Sequence, residues 1–253
     1  MARDVFSRYE KKYLLNETQR DILSRALAEK IPLDPFSRER GWYEVCSLYY
    51  DTADDALIRH SLEKPAFKEK LRLRTYGTPA PDAAAFLELK KKYRGRIYKR
   101  RTPIWLSEAG PFAENRITPE ETGICNSQIL EEITFFVHRY RLQPTIYIAC
   151  ERMAYGQDDL RITFDRNIVT RRSDLHLESG IYGERLLPEG TLVMEIKNGA
   201  CMPLWLSHLL AELRLYTESF SKYGREYTRF ISHAGRERYG CRETAVENTT
   251  IGA

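Results

Sequence analysis

The chain has 253 residues, 42% hydrophobic, 11% aromatic and 30% charged, with a net charge of +4 at pH 7. That composition supports a sizeable buried core and excludes a disordered or low-complexity chain. Because 40 Lys+Arg nearly balance 36 Asp+Glu, function must be sought in where the cations fall, not in their excess.

No apolar stretch is long enough to span a bilayer, and MARDVFSRYEKKYLL has no apolar run of signal-peptide length. The expectation is a cytoplasmic protein without a transmembrane segment. Cys46, Cys125, Cys150, Cys201 and Cys241 are widely spaced, odd in number and lack a CxxC pair, which argues against a disulfide framework or a zinc site.

In chain order, residues 6–15 read as a strand in which Arg8, Glu10 and Lys12 alternate with Ser7, Tyr9, Lys11 and Tyr13. Asn16 caps a helix to about residue 30, with Gln19 at the capping-box position and Ile22, Leu23, Ala26 and Leu27 as its apolar stripe. Pro32 and Pro35 end it. A strand over 42–51 and a short helix over 54–62 follow.

Residues 68–76 alternate Lys68, Lys70, Arg72 and Arg74 with Leu71, Leu73 and Thr75, which is a strand with a basic face. After a turn region at 77–84, Phe86, Glu88 and Lys90 share one side of a second strand, opposite Leu87 and Leu89. Gly95 marks the next turn. Residues 97–104 then carry Lys99 and Arg101 on one side, Tyr98 and Arg100 on the other.

A polar connection containing Gly110, Pro111, Pro119 and Gly123 leads to an amphipathic helix over 127–142, stopped by Pro144. Strands over 145–154 and 160–170 follow, the second with Arg161, Thr163 and Asp165 on one face. Residues 191–198 place Glu195 and Lys197 opposite Leu192, Met194 and Ile196. Pro203 opens a helix, and residues 221–233 form another. The domain is expected to span 1–233, with 234–253 a polar, flexible tail.

Alternating charge on an antiparallel sheet is ordinarily its solvated face. Here neighbouring strands carry so many cations that they would repel one another without an anion among them. An α+β fold with a closed antiparallel β-barrel would turn that face inward and make a tunnel lined with cations. On this reading Lys11, Lys91, Lys92 and Arg100 face solvent, and Tyr49 and Tyr50 are core or rim aromatics.

The segments YEKKYLL (9–15), SLYYDT (47–52), KLRLRTYG (70–77), FLELKKK (86–92), YKRR (98–101), ERMAY (151–155), LRITFD (160–165), LVMEIKNG (192–199) and SFSKYG (219–224) occur in this order. Together they resemble the catalytic domain of the vacuolar transporter chaperone (VTC) family of polyphosphate polymerases, within the triphosphate tunnel metalloenzyme (CYTH-like) superfamily. The resemblance implies that Lys12, Arg72, Arg74, Lys90, Lys99, Arg152, Arg161 and Lys222 hold the triphosphate and the product chain, with Lys197 and Ser221 as further substrate contacts. It implies a divalent metal, Mn²⁺ or Mg²⁺, at Glu195, with Glu88 and Glu10 as additional carboxylates. It also implies ATP and inorganic polyphosphate as partners, and a membrane protein that would bring the chain to the inner face of the membrane. Many family members carry Tyr two positions before the equivalent of Arg152; here that position is Cys150.

The residue types suit this chemistry. Phosphoryl transfer needs a triphosphate held in line and the charge on its oxygens neutralised. Arginine binds phosphate oxygens bidentately and lysine serves as a point charge. Carboxylates among such cations make sense where a hard cation bridges protein and phosphate; otherwise each is an ion-pair partner for a neighbouring Lys or Arg. Three readings stay open: a polyphosphate polymerase, a triphosphate hydrolase, and a binding module without turnover. A nucleic-acid partner is not expected, since the carboxylates would oppose a phosphate backbone and no nucleic-acid motif occurs.

Overall fold

A computed structural model of the protein describes residues 9–94, 96–113, 123–199 and 201–240. Its strands are β1 (Tyr9–Asn16), β2 (Tyr43–Asp51), β3 (Phe67–Tyr76), β4 (Ala84–Tyr93), β5 (Arg96–Trp105), β6 (Gln143–Gln157), β7 (Leu160–Arg171), β8 (Glu184–Arg185) and β9 (Thr191–Asn198). They form one antiparallel sheet in the order β1-β9-β7-β6-β2-β3-β4-β5, with β8 on β7. Among the described residues β1 and β5 end this order with no ladder between them, so the closed barrel expected from the sequence is not formed. The sheet curls instead, as twisted sheets do, and its first strand approaches β4 through side chains: Lys90 Nζ donates to Glu10 Oε2 at 3.3 Å.

Alternation gives the curled sheet two unlike faces. On the convex face, Leu48, Leu71, Leu73, Leu87, Leu89 and Ile104 pack under helices α4 (Leu106–Ala113) and α5 (Ser127–Tyr140). Farther round, Tyr13, Leu15, Ile162, Phe164, Met194 and Ile196 pack under α1 (Glu17–Ala28) and α6 (Leu204–Glu212). The α1 N-terminus has the expected capping box: Asn16 accepts from the Gln19 N–H, and the Gln19 side chain accepts from the Asn16 N–H.

Several elements depart from the sequence reading. Asp34 accepts from the Ser37 N–H and Pro35 takes the first position of α2 (Pro35–Arg40), so the proline read as a stop is a start. Helix α4 replaces part of the connection read as polar, and β8 is too short to show periodicity. Lys91 and Arg100 lie on the outward side as expected, Lys91 partly buried and Arg100 exposed, and there pair with Glu132 on α5 at 2.7 and 3.3 Å, tying the convex face to that helix. Lys92 stands opposite Lys68 in the ladder, on the side of Lys90. Helix α7 (Lys222–Gly240) is longer than the helix read over 221–233; Arg8, Gly95, Pro119 and residues 241–253 lie outside the described residues.

The last helix enters the concave side. Phe220, Tyr223 and Tyr227 pack on Ile146, Ile148, Ile168 and Val193 and on Ile58 of α3 (Ala56–Leu62), closing part of the groove with apolar surface. Asp51 fixes this junction. Fully buried, it accepts from the N–H groups of Thr52, Leu57 and Ile58 and, at 2.9 Å, from the Tyr223 hydroxyl. Arg172 joins from β7's end, donating to Asp55 at 3.1 Å and to Glu226 at 2.8 Å. Replacing Asp51 by Ala leaves buried donors unpaired and is expected to cost about 3 kcal/mol or more; a denaturant midpoint equal to the parent's would refute this role.

Candidate functional site

The register places the basic positions in rows across the concave face. Arg72 stands opposite Glu88 and Glu88 opposite Arg101; Lys70 stands opposite Lys90 and Lys90 opposite Lys99. Across the groove, Lys12 faces Glu195 and Glu195 faces Thr163, while Glu10 faces Lys197 and Lys197 faces Arg161. Between these banks, Tyr49 pairs with Arg72, Ser47 with Arg74, and Arg152 with Asp165.

Glu88 is the anchor of the first bank. At 1% side-chain exposure it accepts from Arg72 at 2.6 and 2.7 Å and from Lys99 at 2.6 Å, with Arg74 at 3.6 Å and Arg101 at 3.7 Å. Burial opposes its charge, but Arg72, Arg74 and Lys99 outweigh burial and hold the carboxyl far below the usual range. Arg72 Nη1 also donates to the Tyr49 hydroxyl at 3.0 Å. Against the effect of burial, Arg72 and Arg74 bring that phenol down to about 7. Lys70 is pushed down to about 8 by burial, helped by Lys68, Lys90 and Lys12 and opposed by Tyr49. Lys99 is likewise lowered to about 8 by burial, with Glu88 opposing and Arg72 and Arg74 assisting.

A second centre joins the sheet to α7. Arg152 grips Asp165 with two nitrogens, at 2.6 and 2.8 Å, and Lys222 contacts the same carboxylate. Asp165 is buried, which works against ionisation, yet Arg152 and Lys222 keep it strongly acidic. Ser221 begins α7: its hydroxyl accepts from the Gly224 N–H at 3.2 Å and from Lys70 at 3.3 Å. Lys12 donates to the Phe220 carbonyl at 3.1 Å. Cys150 is buried beside Asp165, Lys222 and Arg152, and burial pushes its thiol up.

The third centre holds the other carboxylates. Lys12 Nζ lies 3.3 Å from Glu10 and 3.8 Å from Glu195, and Lys197 is 2.5 Å from Glu195. Both carboxyls are lowered: burial and their mutual repulsion work against ionisation, and the lysines prevail. The two carboxylates that share Lys12 supply oxygen ligands of the kind a hard divalent cation takes. Glu88 falls in a separate ion-pair cluster. No group of three or more His, Cys, Asp or Glu side chains positioned for a metal occurs among the described residues.

Of the positions expected from the sequence, Lys12, Arg72, Arg74, Lys90, Lys99, Arg152, Lys197, Ser221, Lys222, Glu10, Glu88 and Glu195 therefore meet within this groove. Arg161 stands apart at its end, paired at 3.0 Å with Asp34 and half exposed. Sequence reasoning passed over Tyr49, Lys70, Arg101 and Asp165 as site residues. Lys70, Arg101 and Asp165 share strand parity with Arg72, Lys99 and Arg161, which is the available signal; Tyr49 lies on β2, where the sequence offers no such neighbour. No helix among the described residues is long and apolar enough to cross a membrane.

Solved structures with related coordinates include a putative adenylate cyclase from Bacillus halodurans, 12% identical over 98% of this chain and 97% of that one, with a TM-score of 0.44. A putative adenylyl cyclase from Hippeastrum, described as having a dominant triphosphatase activity, is 16% identical over 91% of this chain and 95% of that one, with a TM-score of 0.45. Curated proteins give no significant match. The VTC domain family model matches residues 7–231, nearly the whole chain from β1 into α7. The chain belongs to the VTC domain family.

Proposed function

We propose that the protein is a polyphosphate polymerase that transfers the γ-phosphoryl group of ATP to the end of an inorganic polyphosphate chain. The observation that carries this reading is the crowding of Lys70, Lys90 and Lys99 beside Arg72 and Arg74, where burial, assisted by neighbouring cations, lowers the lysines and an arriving polyanion would favour their charged forms. Membership of the VTC domain family supports it.

In this scheme Arg72 and Arg74, on one strand face, grip successive phosphates, and Arg152 and Lys222 orient the chain from the other bank. Lys12, Lys90 and Lys99 neutralise charge on the equatorial oxygens. The terminal oxygen of the acceptor is already ionised, so no general base is needed. It forms the new P–O bond at the γ-phosphorus as the β,γ-bridge breaks, and ADP leaves with the bonding pair. Glu10 and Glu195 would hold Mn²⁺ or Mg²⁺, which when bound draws charge from the phosphate oxygens.

Incubation with ATP and Mn²⁺ is expected to give long-chain polyphosphate and ADP, and the Glu195→Gln variant is expected to give none. Equal polymer from both would remove Glu195 from the metal site, and free phosphate as the sole product would make the protein a hydrolase.

The titrations set a second expectation. Lys70 and Lys99 titrate near 8 instead of 10.5, and Tyr49 near 7 instead of 10. Between the folded and unfolded values the unfolded chain binds more protons, so the ligand-free protein gains stability from about pH 7 to about pH 9. Over the same interval the lysines lose charge and Tyr49 gains it, so affinity for tripolyphosphate falls. Thermal melts and calorimetric titrations should move in opposite directions; movement together would overturn this electrostatic account.

A further inference from the structure

Where β2 begins and β3 ends, aromatic rings from separate elements meet at one end of the groove. Phe36 of α2 lies flat against Tyr76, with centroids 5.6 Å apart and planes at 10°, and stands 5.7 Å from Tyr43. Tyr76 in turn meets Phe86 edge-on at 6.2 Å. Core packing does not account for the outer ring: Phe36 keeps 49% of its surface exposed.

The cluster is continuous with the cationic floor. Arg101 stacks on Phe86 at 3.7 Å from the ring centre, while its Nε stands 3.7 Å from Glu88. Phe86 stands opposite Arg74 in the ladder. Tyr76 follows Arg74 by two residues on the same strand face, about 7 Å along it. A planar surface and a phosphate grip are therefore set side by side, at a separation that a sugar and its first phosphate can bridge.

We infer that Phe36 and Tyr76 form a stacking platform for the nucleobase of the phosphoryl donor, so that the groove takes a nucleoside triphosphate in preference to inorganic tripolyphosphate. This rests on the phosphoryl-donor reading proposed above. A ligand with a polyphosphate at one end and a planar heterocycle at the other engages both features at once; a bare polyphosphate engages only the cations. Stacking tolerates any base, because every base presents a π-face. The platform therefore selects for a nucleotide without selecting strongly among nucleotides.

The test compares equilibrium binding of ATP and of inorganic tripolyphosphate to the whole chain, its Phe36→Ala variant and its Phe36→Trp variant. Loss of the exposed ring is expected to weaken ATP binding about tenfold and to leave tripolyphosphate binding unchanged, and Phe36→Trp is expected to restore ATP affinity. Unchanged ATP affinity in Phe36→Ala, or equal losses for both ligands, would overturn the platform while leaving the phosphate groove intact. A parent chain that binds neither ligand would overturn the groove reading, and the platform with it.

Discussion

Cation crowding on one face of a curled sheet is the constraint that the rest of this molecule answers. Successive strands bring Arg72, Arg74, Lys90, Lys99 and Arg101 together on the concave side. Like charges in ladder positions destabilise a sheet, and the fold offsets this locally with a few carboxylates, each shared. Glu88 serves the β3, β4 and β5 bank, Asp165 serves Arg152 and Lys222, and Glu10 and Glu195 divide Lys12, Lys90 and Lys197. Sharing keeps the cations placed without cancelling them. Had each met its own carboxylate, the groove would be electrically closed to an anion.

The helices answer the same constraint from outside and from below. Those on the convex face bury the leucines that alternate with the charges, so the strands stay extended and the rows stay aligned. Helix α7 occupies the apolar part of the concave face, and its first turn delivers Ser221 and Lys222 to the charged part. Tyr223 and Asp51 tie the two duties together, since a helix anchored by its hydroxyl to the sheet cannot move Lys222 independently. Packing and chemistry are here the same set of contacts.

Much of this was legible from residue order. Strand parity at Lys68 to Arg74 and at Glu195 to Lys197 assigned those side chains to one face, and the capping signal at Asn16 placed α1. Pairing was not legible. That Glu88 meets Arg72 and Lys99, or that Asp165 meets Lys222, depends on register between strands far apart in the chain, which alternation does not encode. Closure was over-read for the same reason: two unlike faces say that a sheet bends, not that its first and last strands join. Tyr49 reads as a core aromatic because its ring is one; only the neighbouring guanidinium of Arg72 turns its hydroxyl into part of the site.

The unjoined edge has a consequence of its own. Strand β1 meets β4 through Lys90 and Glu10, not through a backbone ladder. An ion pair with one partner largely buried is only partly screened by salt, yet unlike a backbone ladder it fixes no register between the two strands. The spacing between the two banks is therefore set by side chains and by the helices packed beneath the sheet, with no backbone ladder bridging the edges among the described residues.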